Sequence, residues 1–138
     1  MKILAIDYGI RRIGLAVSDE EGSMAFPVKT IHRGTRDQVF SEIIEVVGQR
    51  GVTAIALGHP LGLNGERTLS TRQVENFRAS LERRLDIPVY LIEESHTTEE
   101  AEAKLRDAGV PPGKRRDIVD QQAAVEILLR YLYNWAPE

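Results

Sequence analysis

Two apolar runs stand almost back to back at the start of the chain. Ile3-Leu4-Ala5-Ile6 and Ile13-Gly14-Leu15-Ala16-Val17 are separated only by Asp7-Tyr8-Gly9-Ile10-Arg11-Arg12. Runs this short, bounded by turn residues, read as strands over 2–7 and 12–18, and Gly9 permits a hairpin between them. A weaker third strand is predicted over 24–31, with Pro27 suited to a sheet edge because it lacks an N–H. From Thr35 the period changes. Val39, Ile43, Val46 and Val47 recur at helical spacing, and Gly51 can close this helix after roughly four turns. Residues 52–57 form another short apolar run, read as a buried strand ending at Gly58. A second amphipathic helix carries Val74, Phe77, Leu81 and Leu85 on one face until Asp86 and Pro88 end it. Residues 89–92 read as the next buried strand, after which Thr97 or Thr98 caps a third helix with Glu99 and Glu100 in its first turn. Residues 109–113, with Pro111-Pro112, predict a stiff loop and a candidate flap. The last helix is expected from about Asp117, apolar over Ala124, Ile127, Leu128, Tyr131, Leu132 and Trp135.

The predicted order β-β-β-α-β-α-β-α-α describes an α/β protein with a mixed sheet: an antiparallel meander, then right-handed βαβ crossovers. A chain of 138 residues fits one domain, 1–138, with one core and no room for a second lobe. Hydrophobic residues at 42% and charged residues at 28% are ordinary for a folded globular chain, so neither disorder nor a coiled coil is indicated. The absence of cysteine removes disulfides and thiolate sites together, so a metal would have to be held by oxygen or imidazole. The apolar stretch at residues 3–6 is far too short for a signal-peptide core or a membrane span, and a cytoplasmic protein with no membrane partner is expected.

A net charge of −3 does not mark the chain as a whole as a nucleic-acid binder. The distribution matters more. Arg11-Arg12 follows Asp7, and Lys114-Arg115-Arg116 precedes Asp117 and Asp120, so cations cluster beside carboxylates. These clusters read either as solvated loop charge or as phosphate contacts. Asp7 leaves the end of a buried strand into a glycine turn, Glu93-Glu94 follows a later strand, and Asp117 and Asp120 share a helix face by their spacing of three. If the first strand lies mid-sheet with the later strands parallel to it, Asp7 and Glu94 leave at the same edge. Such a set supplies the oxygen ligands that Mg²⁺ or Mn²⁺ requires, and paired metals are a recurrent means of splitting phosphodiesters. Taken singly, each acid also has an ordinary explanation: an Asx turn for Asp7, loop charge for Glu93 and Glu94, a helix cap for Asp117, a first-turn acid for Asp120. His59 and His96 sit at the same expected edge and read first as polar loop residues, second as proton shuttles or phosphate ligands. His32 has no special context in the sequence.

With these residues identified, the chain resembles a known family. Ile6-Asp7-Tyr8-Gly9 with Arg12-Ile13-Gly14-Leu15-Ala16-Val17-Ser18-Asp19 is similar to the N-terminal signature of the YqgF family, also called RuvX, of pre-16S rRNA nucleases and Holliday-junction-resolvase-like proteins. The likeness continues through Gly58-His59-Pro60-Leu61 with Asn64-Gly65, Glu93-Glu94 with Thr97-Thr98, and Val119-Asp120 with Ala123-Ala124. The resemblance implies an RNase H-like fold, a five-stranded mixed sheet with helices on both faces, and a nuclease that uses Mg²⁺ or Mn²⁺. Asp7, Glu94 and Asp120 match its three catalytic acids, with Asp117 as an auxiliary metal ligand. It implies a role in 5′-end maturation of pre-16S rRNA within ribosomal precursor particles, with RNA the favoured substrate and single-stranded or branched DNA the alternative. The family usually reads Asp-Glu-Arg at the second acid, and here the residues are Glu93-Glu94-Ser95. Phosphate binding is therefore expected to fall to Arg11, Arg12, Lys114, Arg115 and Arg116. Competing readings are a Holliday junction resolvase, which needs two sites and hence a dimer, and a non-catalytic RNA-binding assembly factor. A sugar-kinase or actin-like ATPase shares the Asp-x-Gly hairpin but requires a second lobe. The sequence leaves monomer and dimer open.

Overall fold

In the computed structural model, which describes residues 1–94, 106 and 108–135, three antiparallel strands open the chain: β1 (Lys2–Tyr8), β2 (Arg12–Ser18) and β3 (Ala25–His32). Helix α1 (Arg36–Arg50) leads to β4 (Val52–Pro60), and α2 (Leu69–Arg84) leads to β5 (Val89–Glu94). The long helix α3 (Pro112–Arg130) continues into a π-helical turn over Tyr131–Trp135. The sheet order is β3-β2-β1-β4-β5, with β1 antiparallel to β2 and parallel to β4, and β4 parallel to β5. The expected mixed sheet is present, with Asp7 and Glu94 at the same edge.

Local chemistry sets both ends of α1 and the start of α2. Thr35 caps α1 by accepting from the Gln38 amide at 3.1 Å, and Gly51 ends it in the left-handed conformation. Thr68 and Thr71 form a reciprocal capping box on α2, and the Thr71 hydroxyl also donates to the Pro60 carbonyl, tying α2 to the end of β4.

Strand alternation sorts the core into two layers. Leu4, Ile6, Ile13, Leu15, Ile55 and Leu57 pack beneath α1 and α2, whereas Ile3, Ala5, Ala16, Ala54 and Ala56 meet α3 through Ala124, Ile127, Leu128 and Tyr131. The alanines on the second face let α3 lie close to the sheet. Gly14 marks the closest approach: a Cβ there would stand 2.0 Å from the Asp120 carbonyl oxygen.

Four boundaries differ from the sequence expectation, the first being β4, which runs on through Pro60 instead of ending at Gly58. Helix α3 starts at Pro112, not near Asp117, because Pro is accommodated in a first turn whose N–H groups need no partner. Pro112, Gly113 and the Lys114-Arg115-Arg116 cluster therefore belong to its opening turns, and the candidate flap is shorter than expected. Strand β5 extends through Glu94, so Glu93 and Glu94 lie within the ladder, opposite His59 and Pro60. Strand β3 ends at His32, pairing that residue with Arg12. The helix expected from Thr97, together with Ser95 and His96, lies outside the described residues.

Candidate nuclease site

The site is built from the β1–β2 hairpin outward. Gly9 makes the turn feasible, since a Cβ would come within 2.4 Å of the Arg12 carbonyl oxygen. Arg33 staples this turn from the next strand connection, donating from Nη1 to the Gly9 and Ile10 carbonyls at 2.8 and 3.1 Å. Asp7, half-buried, stands opposite Gly14 in the ladder, and alternation places it on the α3 face with Ile3 and Ala5. Directly opposed residues lie roughly 5 Å apart at Cα. The Gly14 backbone in turn abuts Asp120, so Asp7 and Asp120 flank one glycine from two different elements.

Asp120 is mostly enclosed, with a side chain 13% exposed, and its Oδ2 accepts from Arg12 Nε at 2.7 Å. Burial pushes its carboxyl above the ordinary range, outweighing the Arg12 guanidinium, and the nearby Asp117 charge acts in the same upward direction. Asp117, one turn earlier on the same helix, reaches β3. Its carboxylate meets His32 Nε2 at 3.2 Å, and its carbonyl accepts from the Thr30 hydroxyl at 2.9 Å. Gln121 donates to the same Thr30 oxygen, so the first half of α3 is held against β3.

Beside these acids lies an open basin of about 530 Å³ lined by Ile10, Arg11, Arg12, His32, Arg33, Arg116 and Asp117. It gathers four guanidiniums from the hairpin, the β3–α1 connection and α3. Of the residues singled out from sequence, Arg11, Arg12, Arg116 and Asp117 share this basin, Asp120 adjoins it through Arg12, and Asp7 lies across Gly14 from Asp120. Lys114 and Arg115 do not line it. Among the described residues, Arg115 Nε is buried without a hydrogen-bond partner. Glu94 ends β5, two strands across from β1 and further out along the edge than Asp7. Among the described residues no three acidic or imidazole side chains form a ready-made cation cage.

His59 sits at the expected edge but on the α1/α2 face. Its Nε2 meets Glu75 at 3.1 Å, and Glu75 also pairs with Arg67. Both partners hold the Glu75 carboxyl below its ordinary range, the Arg67 hydrogen bond most strongly. The arrangement reads as a structural tie between β4 and α2. Sequence reasoning missed His32 and Arg33, whose roles follow from pairing β3 with β2. Gly14 did carry a signal, since a glycine inside an apolar strand marks a close backbone approach.

Arrangement and sequence agree on a class, the RNase H-like nuclease fold with acids at the parallel-strand exit. The sequence matches the RuvX family, described as Holliday junction resolvase, over residues 1–134. A relative from Maridesulfovibrio salexigens, named "Putative pre-16S rRNA nuclease", is 48% identical over 132 residues, covering 96% of this chain and 98% of its own. The fold is similar to that of T. thermophilus RuvC, solved in complex with a Holliday junction substrate, with a TM-score of 0.53 at 18% identity; the match covers 96% of this chain and 94% of the other. Fowlpox virus resolvase, solved with Holliday junction DNA, gives a TM-score of 0.56 at 11% identity, covering 99% and 100%. The chain belongs to the RuvX family.

Proposed function

We propose that this chain, acting as a single domain over 1–138 in the cytoplasm, is a divalent-metal-dependent nuclease that hydrolyses phosphodiester bonds in 5′-end maturation of pre-16S rRNA. The observation that carries the reading is that Asp7 and Asp120 stand on either side of Gly14, with Asp120 bonded to Arg12 of an arginine-lined basin. The relatives' name, pre-16S rRNA nuclease, supports the choice of substrate. Among the described residues no helix is long and apolar enough to cross a membrane.

The donor set suits a hard cation. It consists of carboxylate oxygens, and Asp120 in particular is a carboxylate whose burial one guanidinium does not fully compensate. Mg²⁺ or Mn²⁺ would be held by Asp7, Glu94 and Asp120, with Asp117 auxiliary. The bound cation would supply an activated water and charge stabilisation at the leaving oxygen. The protein's own groups do the rest. Arg11, Arg33 and Arg116 hold the phosphates of the strand, and Arg12 keeps Asp120 oriented. Lys114 and Arg115 add positive potential in the first turn of α3, where the helix dipole has the same sign.

The test is cleavage of a labelled precursor RNA with Mn²⁺. Asp7→Asn is expected to lower the rate at least tenfold with an unchanged circular dichroism spectrum, because a neutral amide clamps a cation less well. Normal cutting by this variant would remove Asp7 from the site. The family description favours one second reading, Holliday junction resolution, which requires two sites related by a dimer axis. A monomer that cuts single-stranded RNA excludes it, and tight RNA binding without metal-dependent cleavage would instead mark an assembly factor.

A further inference from the structure

On the opposite face of the sheet from Asp7, at the same edge, a smaller cleft of about 180 Å³ is lined by Tyr8, Arg33, Arg36, Val39, Phe40, Gln73, Asn76, Phe77 and Ser80. Its floor is a row of rings. Tyr8 and Phe77 lie 4.3 Å apart at their centroids, and Phe77 and Phe40 lie 5.4 Å apart. Cations cover the row: Arg33 stands 4.9 Å from the Tyr8 centroid, and Arg36 and Arg84 stand 5.4 and 4.0 Å from that of Phe40. Arg36 is fixed by donating to the Ser80 hydroxyl at 2.7 Å.

Arg33 lines both this cleft and the arginine basin. A strand whose phosphates lie in the basin therefore has a flanking nucleotide within reach of the cleft. The volume lies below the range of pockets that enclose a whole small-molecule ligand, so the cleft suits one planar part of a ligand anchored elsewhere. Phe40 and Phe77 are buried, so the faces open to a base are the Arg33 and Arg36 guanidinium planes and the half-buried Tyr8 ring, surfaces on which unstacked bases rest, and the amides of Gln73 and Asn76 offer both donors and acceptors to a base edge. Neither amide forms a hydrogen bond with another described residue.

We infer that the Tyr8–Arg33–Arg36–Phe77 cleft is a subsite that receives one unpaired base of the single-stranded RNA whose backbone occupies the basin. This inference rests on the nuclease reading and specifies how the substrate is seated.

The test uses fluorescein-labelled single-stranded RNA of about eight nucleotides, within the usual length range for single-strand sites. Affinity is measured by anisotropy in EDTA, with one abasic ribose walked along the oligonucleotide. Base removal at one position is expected to weaken binding to the wild type by on the order of tenfold, the usual effect of losing one stacked base. In the double variant Gln73→Ala/Asn76→Ala, whose altered side chains lie on the surface of α2, that position loses the part of its sensitivity that comes from hydrogen bonds to the base edge. The inference is overturned if no position is base-sensitive, if the double variant keeps the full penalty, or if no oligonucleotide binds. Cleavage of the same RNA with Mn²⁺ is scored separately. Base-sensitive binding without cleavage would retain the subsite and remove the nuclease, whereas cleavage with base-insensitive binding would do the reverse.

Discussion

Asp120 shows how one side chain can cost stability and be kept for chemistry. Its folded-state pKa lies above the unfolded value near 3.8 because burial opposes the charge. A raised carboxyl binds more protons folded than unfolded, so the stability penalty is absent below pH 3.8. It grows as pH rises towards the folded-state value and is complete above it. Asp120→Asn removes the charge but keeps an acceptor for Arg12. In EDTA at neutral pH this variant is expected to melt at a higher temperature than the wild type, with the difference vanishing in acid, while its Mn²⁺-dependent cleavage is strongly reduced. A lower melting temperature at neutral pH would mean that the Arg12 ion pair outweighs burial. Asp7 and Asp120 were visible as candidates in the sequence, through a carboxylate before a glycine turn and an acid pair at helical spacing. Their shared neighbour Gly14 was visible only as an oddity. His32 was invisible as a site residue, since its partner Asp117 lies 85 positions away.

At the level of elements, the site depends on how closely α3 presses on β2. The alanine-lined face permits that approach and Gly14 sets its limit, because any side chain there would meet Asp120 main-chain atoms and not a yielding side chain. Gly14→Ala is therefore expected to destabilise the fold by about 3 kcal/mol or more, the upper end for overpacking a tight interface. Urea denaturation would register this as a lower midpoint. A wild-type midpoint would show that α3 can retreat from β2 without penalty. The strands were legible as short apolar runs bounded by turn residues, and the first two helices by their hydrophobic period, although strand ends shifted. The start of α3 was not, because Pro111-Pro112-Gly113 reads as a loop until the chain turns helical at Pro112 itself.

For the whole molecule, a net charge of −3 hides a local excess of cations at one sheet edge. Arg12 is neutralised by Asp120, which leaves Arg11, Arg33 and Arg116 as the cations of the basin available to phosphates. Each phosphate neutralised on a single strand contributes roughly −0.7 to the slope of log affinity against log salt, so replacing any one of the three by Ala is expected to flatten the slope by about that amount. Anisotropy titrations over a salt series provide the measurement, and an unchanged slope in the triple variant would place the phosphates elsewhere.

Local sequence determined the alternation, the helical periods and the exit of Asp7 from an apolar strand, since these depend on neighbours within a few residues. The element order already described an α/β mixed sheet, and the likeness of its motifs to the RuvX family added the RNase H-like assignment. Tertiary structure alone decided which acids become neighbours and which arginines face one basin. Those proximities arise when β3 pairs with β2 and α3 crosses the alanine-lined face, contacts between residues far apart in the chain that no local pattern encodes.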